Sequence, residues 1–153
     1  LIKDSFKTYD VNTFNDALNI GVYASHDAYK NNFGLKIYRS IKINKQNNDL
    51  EGEDTFSRSN TSSRGASFTV RFHLYPGVNA VKTLSGKSVL IQINKNKSLL
   101  FSCDNCSAEI EKGLFFGKNK ITNNLNIFLK GDILENEKTI NWKIKKKINV
   151  EEN

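Results

Sequence analysis

Apolar and polar positions alternate with a period of two along most of this chain, and that period sets its elements. In Ser67–Leu74, Phe68, Val70, Phe72 and Leu74 share one face while Thr69, Arg71 and His73 share the other, as in a half-buried strand. Ser88–Ile93 and Leu99–Phe101 flank the polar turn Asn94–Ser98 and predict a hairpin. Strands follow at Ile110–Phe116, Leu125–Leu129 and Thr139–Ile144, the last alternating Ile140, Trp142 and Ile144 with polar neighbours. In the first half, Ile20–Ala24 predicts a strand. A longer one places Leu35, Ile37, Ile41 and Ile43 in a single row with Arg39. A charged row-mate implies a sheet end or a polar cleft.

Gly, Asn, Asp and Ser supply the turns, and Pro76-Gly77 fits positions i+1 and i+2 of a type II turn. Gln46–Ser63 is the longest polar stretch and reads as a sheet-edge loop flanking a short strand near Leu50–Phe56. No segment sustains a helical period over about 11 residues; the best, Asp27–Phe33, is barely two turns. Short strands separated by turn signals predict an all-β, antiparallel β-sandwich. Phe68, Phe72, Phe101 and Phe128 fall on apolar rows and are expected in its core.

The length of 153 residues suffices for one domain, expected over residues 1–148 with a charged tail at 149–153. No stretch nears the roughly 18 apolar residues of a membrane span. The start, Leu1-Ile2-Lys3-Asp4, has no initiator Met and no signal-peptide pattern, and reads as a piece of a longer protein. The net charge of +7 would attract an anionic polymer. Nucleic acid is set aside as a partner, because aromatic and basic residues do not interleave along one strand. Of the 23 basic residues 19 are Lys, spread along the chain, with one run at Lys143 and Lys145–Lys147 expected to fray.

Cys103 and Cys106 form a C-x-x-C spacing. A redox dithiol needs a βαβ context and a zinc knuckle needs a second ligand pair; neither is present in the sequence. The pair reads as a tight inter-strand turn carrying two thiols.

Three segments taken together are more specific. Ala24-Ser25-His26-Asp27-Ala28-Tyr29 with Phe33-Gly34-Leu35, then Leu50-Glu51-Gly52-Glu53-Asp54, then Arg71-Phe72-His73-Leu74-Tyr75-Pro76-Gly77-Val78 resemble the C-terminal β-sandwich region of heparinase II/III-like polysaccharide lyases. The resemblance runs from about Ile20 to the Trp142 strand. It implies an upstream helical toroid as partner, an acidic polysaccharide as substrate, cleavage by β-elimination, and a periplasmic or cell-envelope location. The family's catalytic Asn, His and Tyr would lie mostly on the toroid, upstream of Leu1, so none is carried onto this chain. Where relatives carry a His beside the Arg after Phe-Gly-Leu, this chain reads Lys36-Ile37-Tyr38-Arg39.

The substrate-binding candidates are His26, Tyr29, Arg39, Arg71 and His73. His26 could face a cleft as a proton-tunable donor, or cap a turn with Asp27. Arg71 and His73 could touch an anionic sugar, or belong to an ordinary solvated strand face. Tyr23, Tyr29, Tyr38 and Tyr75 are candidates for stacking on sugar rings, or for packing at the sandwich rim. No cofactor is expected; His26, Asp54 and His73 are the residue types of a structural zinc set, though strand spacing does not force them together. The reading from a different class is a non-catalytic carbohydrate-binding or structural sandwich.

Overall fold

The computed structural model describes residues 6–58, 65–117 and 119–147. Eleven strands and one helical turn follow in order: β1 Thr8–Asn15, β2 Asn19–Tyr29, α1 Lys30–Phe33, β3 Leu35–Asn44, β4 Leu50–Arg58, β5 Ala66–His73, β6 Asn79–Lys82, β7 Ser88–Asn94, β8 Lys97–Cys103, β9 Ala108–Gly117, β10 Lys120–Ile133 and β11 Glu137–Lys146. They form an eight-stranded and a three-stranded antiparallel sheet, an all-β sandwich. The chain divides into two compact units, residues 1–68 with 131–142 and residues 69–130 with 143–153.

In the first unit the strands run β1-β2-β3-β4, followed by the first part of β11. β1 is irregular between Tyr9 and Asn12, where Asp10 takes φ 52°. Its carboxylate holds the bulge by accepting from Ser25 Oγ at 2.9 Å and Lys36 Nζ at 3.1 Å. Of Asp27–Phe33, the segment nearest to a helical period, only α1 is helical, a single turn that ends where Gly34 adopts φ 66° and donates back to Lys30 O. Leu35, Ile37, Phe56, Phe68, Ile133, Ile140 and Trp142 make the buried apolar set, with Phe56 and Phe68 stacked at 4.6 Å.

In the second unit β6-β7-β8 form one antiparallel run, and β9, β10 and the body of β5 form another. Val89, Ile91, Phe101, Ala108, Ile127 and Leu129 are buried, and Phe72 meets Phe101 edge-on at 4.8 Å. Pro76-Gly77 makes the predicted turn: Val78 N donates to Tyr75 O, and Gly77 carries φ 89°.

Several expectations need correction. β1 and β6 escape the sequence pattern, because β1 is exposed at nearly every position and β6 has four residues. β4 is flanked on both sides, by β3 and β11, so this part of the polar stretch is interior rather than a sheet edge; residues 59–63 lie outside the described residues. Phe128 falls on the row of Asn124 and Asn126, opposite the buried row of Ile127 and Leu129. Lys145 and Lys146 belong to β11 and Lys147 N donates to Ser98 O, so this run is held in place; residues 148–153 lie outside the described residues.

Candidate functional site

In the first unit, register decides which side chains meet. Ala24, Arg39 and Asp54 form one rung across β2, β3 and β4, so all three share a face. Arg39 Nε donates to Asp54 Oδ1 at 2.5 Å, and the indole Nε1 of Trp142 donates to Oδ2 at 3.0 Å. Asp54 is 1% exposed while the Arg39 side chain is 44% exposed. The acid is a buried fastener and the guanidinium is its wet partner. Of the two readings of a charged row-mate, a sheet end or a polar cleft, the structure favours the second, with the guanidinium paired to Asp54. Arg39 also borders a shallow cavity of about 200 Å³ with Tyr23, Tyr38 and Glu53.

Gly52 explains how Trp142 fits. A Cβ at that position would lie 2.0 Å from Trp142 Cζ2, so the indole rests on the bare backbone of β4.

His26 and Tyr29 are brought together within an aromatic row. Phe6 meets His26 at 5.8 Å, His26 meets Tyr29 at 5.8 Å, and Tyr29 meets Phe33 at 6.3 Å. Burial and the positive charge of Arg39 push the His26 imidazole below its ordinary value, against a smaller opposing pull from Asp27. The neighbouring Asp27 instead accepts from Lys7 N and from the Tyr9 hydroxyl, both at 2.9 Å, tying β1 to β2.

In the second unit, Arg71 and His73 join a ladder of side chains across β5, β10 and β9. Arg71 Nε donates to Glu111 Oε1 at 2.7 Å, and Asn126 Nδ2 donates to the same oxygen at 3.3 Å. Asn126 Oδ1 thus faces His73 Nδ1 at 2.9 Å and also accepts from Asn124 Nδ2 at 3.2 Å. A carboxylate only accepts, so this chain of bonds fixes the orientation of Asn126 and requires the proton of a neutral His73 on Nδ1. The bond from Arg71, aided by Asn126, holds Glu111 below the ordinary carboxylate value.

Asn124 Nδ2 also donates to Leu74 O at 2.8 Å, which leaves Asn124 Oδ1 buried without a hydrogen-bond partner. A Cβ on residue 113 would come within 2.6 Å of that oxygen and 2.5 Å of Asn126 Nδ2. The two carboxamides lie over Gly113 because it is glycine. Two positions along the same row, Phe115 lies beside Gly117 and meets Tyr75 edge-on at 5.3 Å.

The three zinc candidates do not become a site. Among the described residues no three His, Cys, Asp or Glu side chains gather as a metal-binding group. Asp54 commits both oxygens to Arg39 and Trp142, and His73 commits Nδ1 to Asn126. Cys103 ends β8 and Cys106 follows in the β8–β9 link; Cys103 Sγ donates to Cys106 O, and burial pushes the Cys103 thiol up.

The sequence singles out Arg71 and His73 as candidates but not the residues that the structure sets beside them, Glu111, Gly113, Asn124 and Asn126. The polar row Thr122, Asn124, Asn126 inside an otherwise apolar segment was the available signal.

Comparison with known proteins follows the same lines. No curated protein matches the chain. Among solved structures, the heparan sulfate lyase HepC from Pedobacter heparinus is 13% identical with a TM-score of 0.74, covering 92% of this chain and 22% of that one. A mutant of HepC gives 12% identity and a TM-score of 0.75 with the same coverages, 92% and 22%. A heparinase III structure is 9% identical with a TM-score of 0.69, covering 93% of this chain and 21% of that one. The chain thus matches the fold of about a fifth of each of these proteins. A family model described as heparinase II/III-like, C-terminal, matches residues 7–143. With its model covering most of the sequence, the chain belongs to the heparinase II/III-like C-terminal family.

Proposed function

We propose that this chain is the C-terminal sandwich portion of a polysaccharide lyase that cleaves an acidic, uronate-containing polysaccharide by β-elimination. It forms one wall of the substrate cleft and packs against a helical toroid of the same protein. Membership of the family, whose solved relatives include heparan sulfate lyases, supports the substrate class.

One observation carries the division of labour. Elimination needs a group that takes the proton next to the uronate carboxylate and another that protonates the leaving oxygen. Three of the five candidate groups are engaged in holding the sheets, Arg39 with Asp54, Arg71 with Glu111, and His73 through Nδ1 with Asn126, while His26 and Tyr29 meet as rings at 5.8 Å. Such groups hold and orient; they do not form a proton-transfer pair. The catalytic groups belong to the toroid, and this portion supplies surface.

Packing against the toroid has support in the β9–β10 hairpin. Phe116 and Ile121 face each other directly across it, with Leu114 on the same strand face, and all three are exposed. Adjacent large apolar side chains in water mark a surface that another surface covers. A periplasmic or cell-envelope location accords with an extracellular polysaccharide as substrate.

Affinity electrophoresis tests the substrate class. The chain is expected to be retarded in gels containing heparan sulfate, less so as salt rises, and not in gels containing a neutral glucan. Equal mobility in all gels would overturn it.

A further inference from the structure

We propose that the outer row of β5 and the turn after it is a saccharide-binding strip, in which the Tyr75 ring takes the face of a sugar and the Arg71 guanidinium takes a carboxylate or sulfate of the same chain. This rests on the acidic-polysaccharide reading above and names where on the second unit such a chain lies.

Arg71, His73 and Tyr75 alternate outward at every second position, a row of roughly 13 Å at the usual strand rise. Each is held from behind. Arg71 is anchored through Nε, and its side chain is 46% exposed, so its Nη groups are accessible donors. His73 is anchored through Nδ1, and in the neutral form this leaves Nε2 as the acceptor of an exposed ring. Tyr75 is 68% exposed, yet its ring is braced by a T-shaped contact with Phe115 and its backbone by the Pro76-Gly77 turn.

The row therefore presents an open aromatic face, an acceptor and a forked cationic donor, in that order. A sugar ring offers an apolar face, hydroxyl donors and, in an acidic saccharide, an anionic oxygen pair. The pre-set side chains lower the ordering cost of binding a flexible ligand.

The test is a titration of the nitrogen-labelled chain, followed by NMR, with a heparan sulfate oligosaccharide and with an uncharged oligosaccharide of equal length. The acidic probe is expected to shift the amide signals of Arg71, His73, Tyr75 and Phe115. Tyr75→Ala should weaken it about tenfold, while Tyr75→Phe should not. Arg71→Gln should reduce the acidic probe to the affinity of the neutral one. Unchanged dispersion of the remaining signals shows that each variant is folded. Binding of the acidic probe that survives both Tyr75→Ala and Arg71→Gln overturns this strip and leaves the lyase reading standing. Equal binding of both probes by the unmodified chain, lost in Tyr75→Ala, overturns the acidic assignment and the lyase reading with it. Absence of binding by either probe overturns both.

Discussion

Trp142 donates its indole N–H to the buried carboxylate of Asp54 across 88 residues of sequence, at 3.0 Å. The other oxygen of Asp54 takes Arg39, so one acid links β3, β4 and β11 within the first unit. Asp54→Ala would strand a buried indole donor and cost about 1–3 kcal/mol, since the exposed Arg39 finds water instead. Asp54→Asn keeps a carbonyl for Trp142 and should cost less. Urea midpoints of the two variants against the parent measure the difference.

Gly52→Ala should be more damaging than Gly86→Ala. At Gly52 a methyl group meets the Trp142 ring at 2.0 Å, whereas at Gly86 nothing lies within 4 Å and only the φ of 69° resists a side chain. Overpacking at the first site is expected to cost about 3 kcal/mol, against about 1 kcal/mol for backbone strain at the second. Melting temperatures of the pair rank them. An equal loss would mean that the indole does not rest on the β4 backbone.

Acid should weaken the first unit through His26. Its folded-state value lies below the ordinary 6.5, so the unfolded chain binds the proton more readily. The neutral imidazole therefore contributes fully above that ordinary value, and stability declines as pH falls below it. Glu111 also has a depressed value, so its contribution is present above the ordinary 4.5 and is lost as pH falls through the lower folded value. His26→Phe should flatten the first decline and Glu111→Gln the second, read from urea midpoints across the acid range.

His73 should show its neutral-form proton on Nδ1, and Asn126→Ala should release that preference. Nitrogen NMR of the imidazole distinguishes the tautomers directly. A proton on Nε2 in the unmodified chain would require Asn126 to be turned round, which would set its oxygen against Glu111.

Strand patterning was legible wherever one face is buried. Phe68 and Val70 on β5, and Ile140 and Trp142 on β11, alternate cleanly with polar residues because only one side of each strand is dry. β1 carries no such contrast: it is held by bonds such as Tyr9 to Asp27, which leave no hydrophobic period. Arg39 was placed correctly in the row of Ile37 and Ile41, but its partner lies on another strand and emerges only with the β3–β4 register. The same holds for the ladder. Arg71 and His73 were visible as a polar row, whereas Glu111 and Asn126 reach them through pairing of β9 with β10 and folding onto β5. Gly52 and Gly113 fall inside strands already predicted from sequence, and only the structure shows that each makes room for a neighbour's side chain.

The most direct test of the central claim, that this chain serves an eliminating lyase without carrying its proton-transfer groups, is an elimination assay on the chain alone. Purified chain is incubated with heparan sulfate, and the unsaturated uronate product is followed by its ultraviolet absorbance. No rise above the rate without protein is expected. A sustained rise that scales with the concentration of the chain would contradict it, because base and acid would then have to lie among these residues.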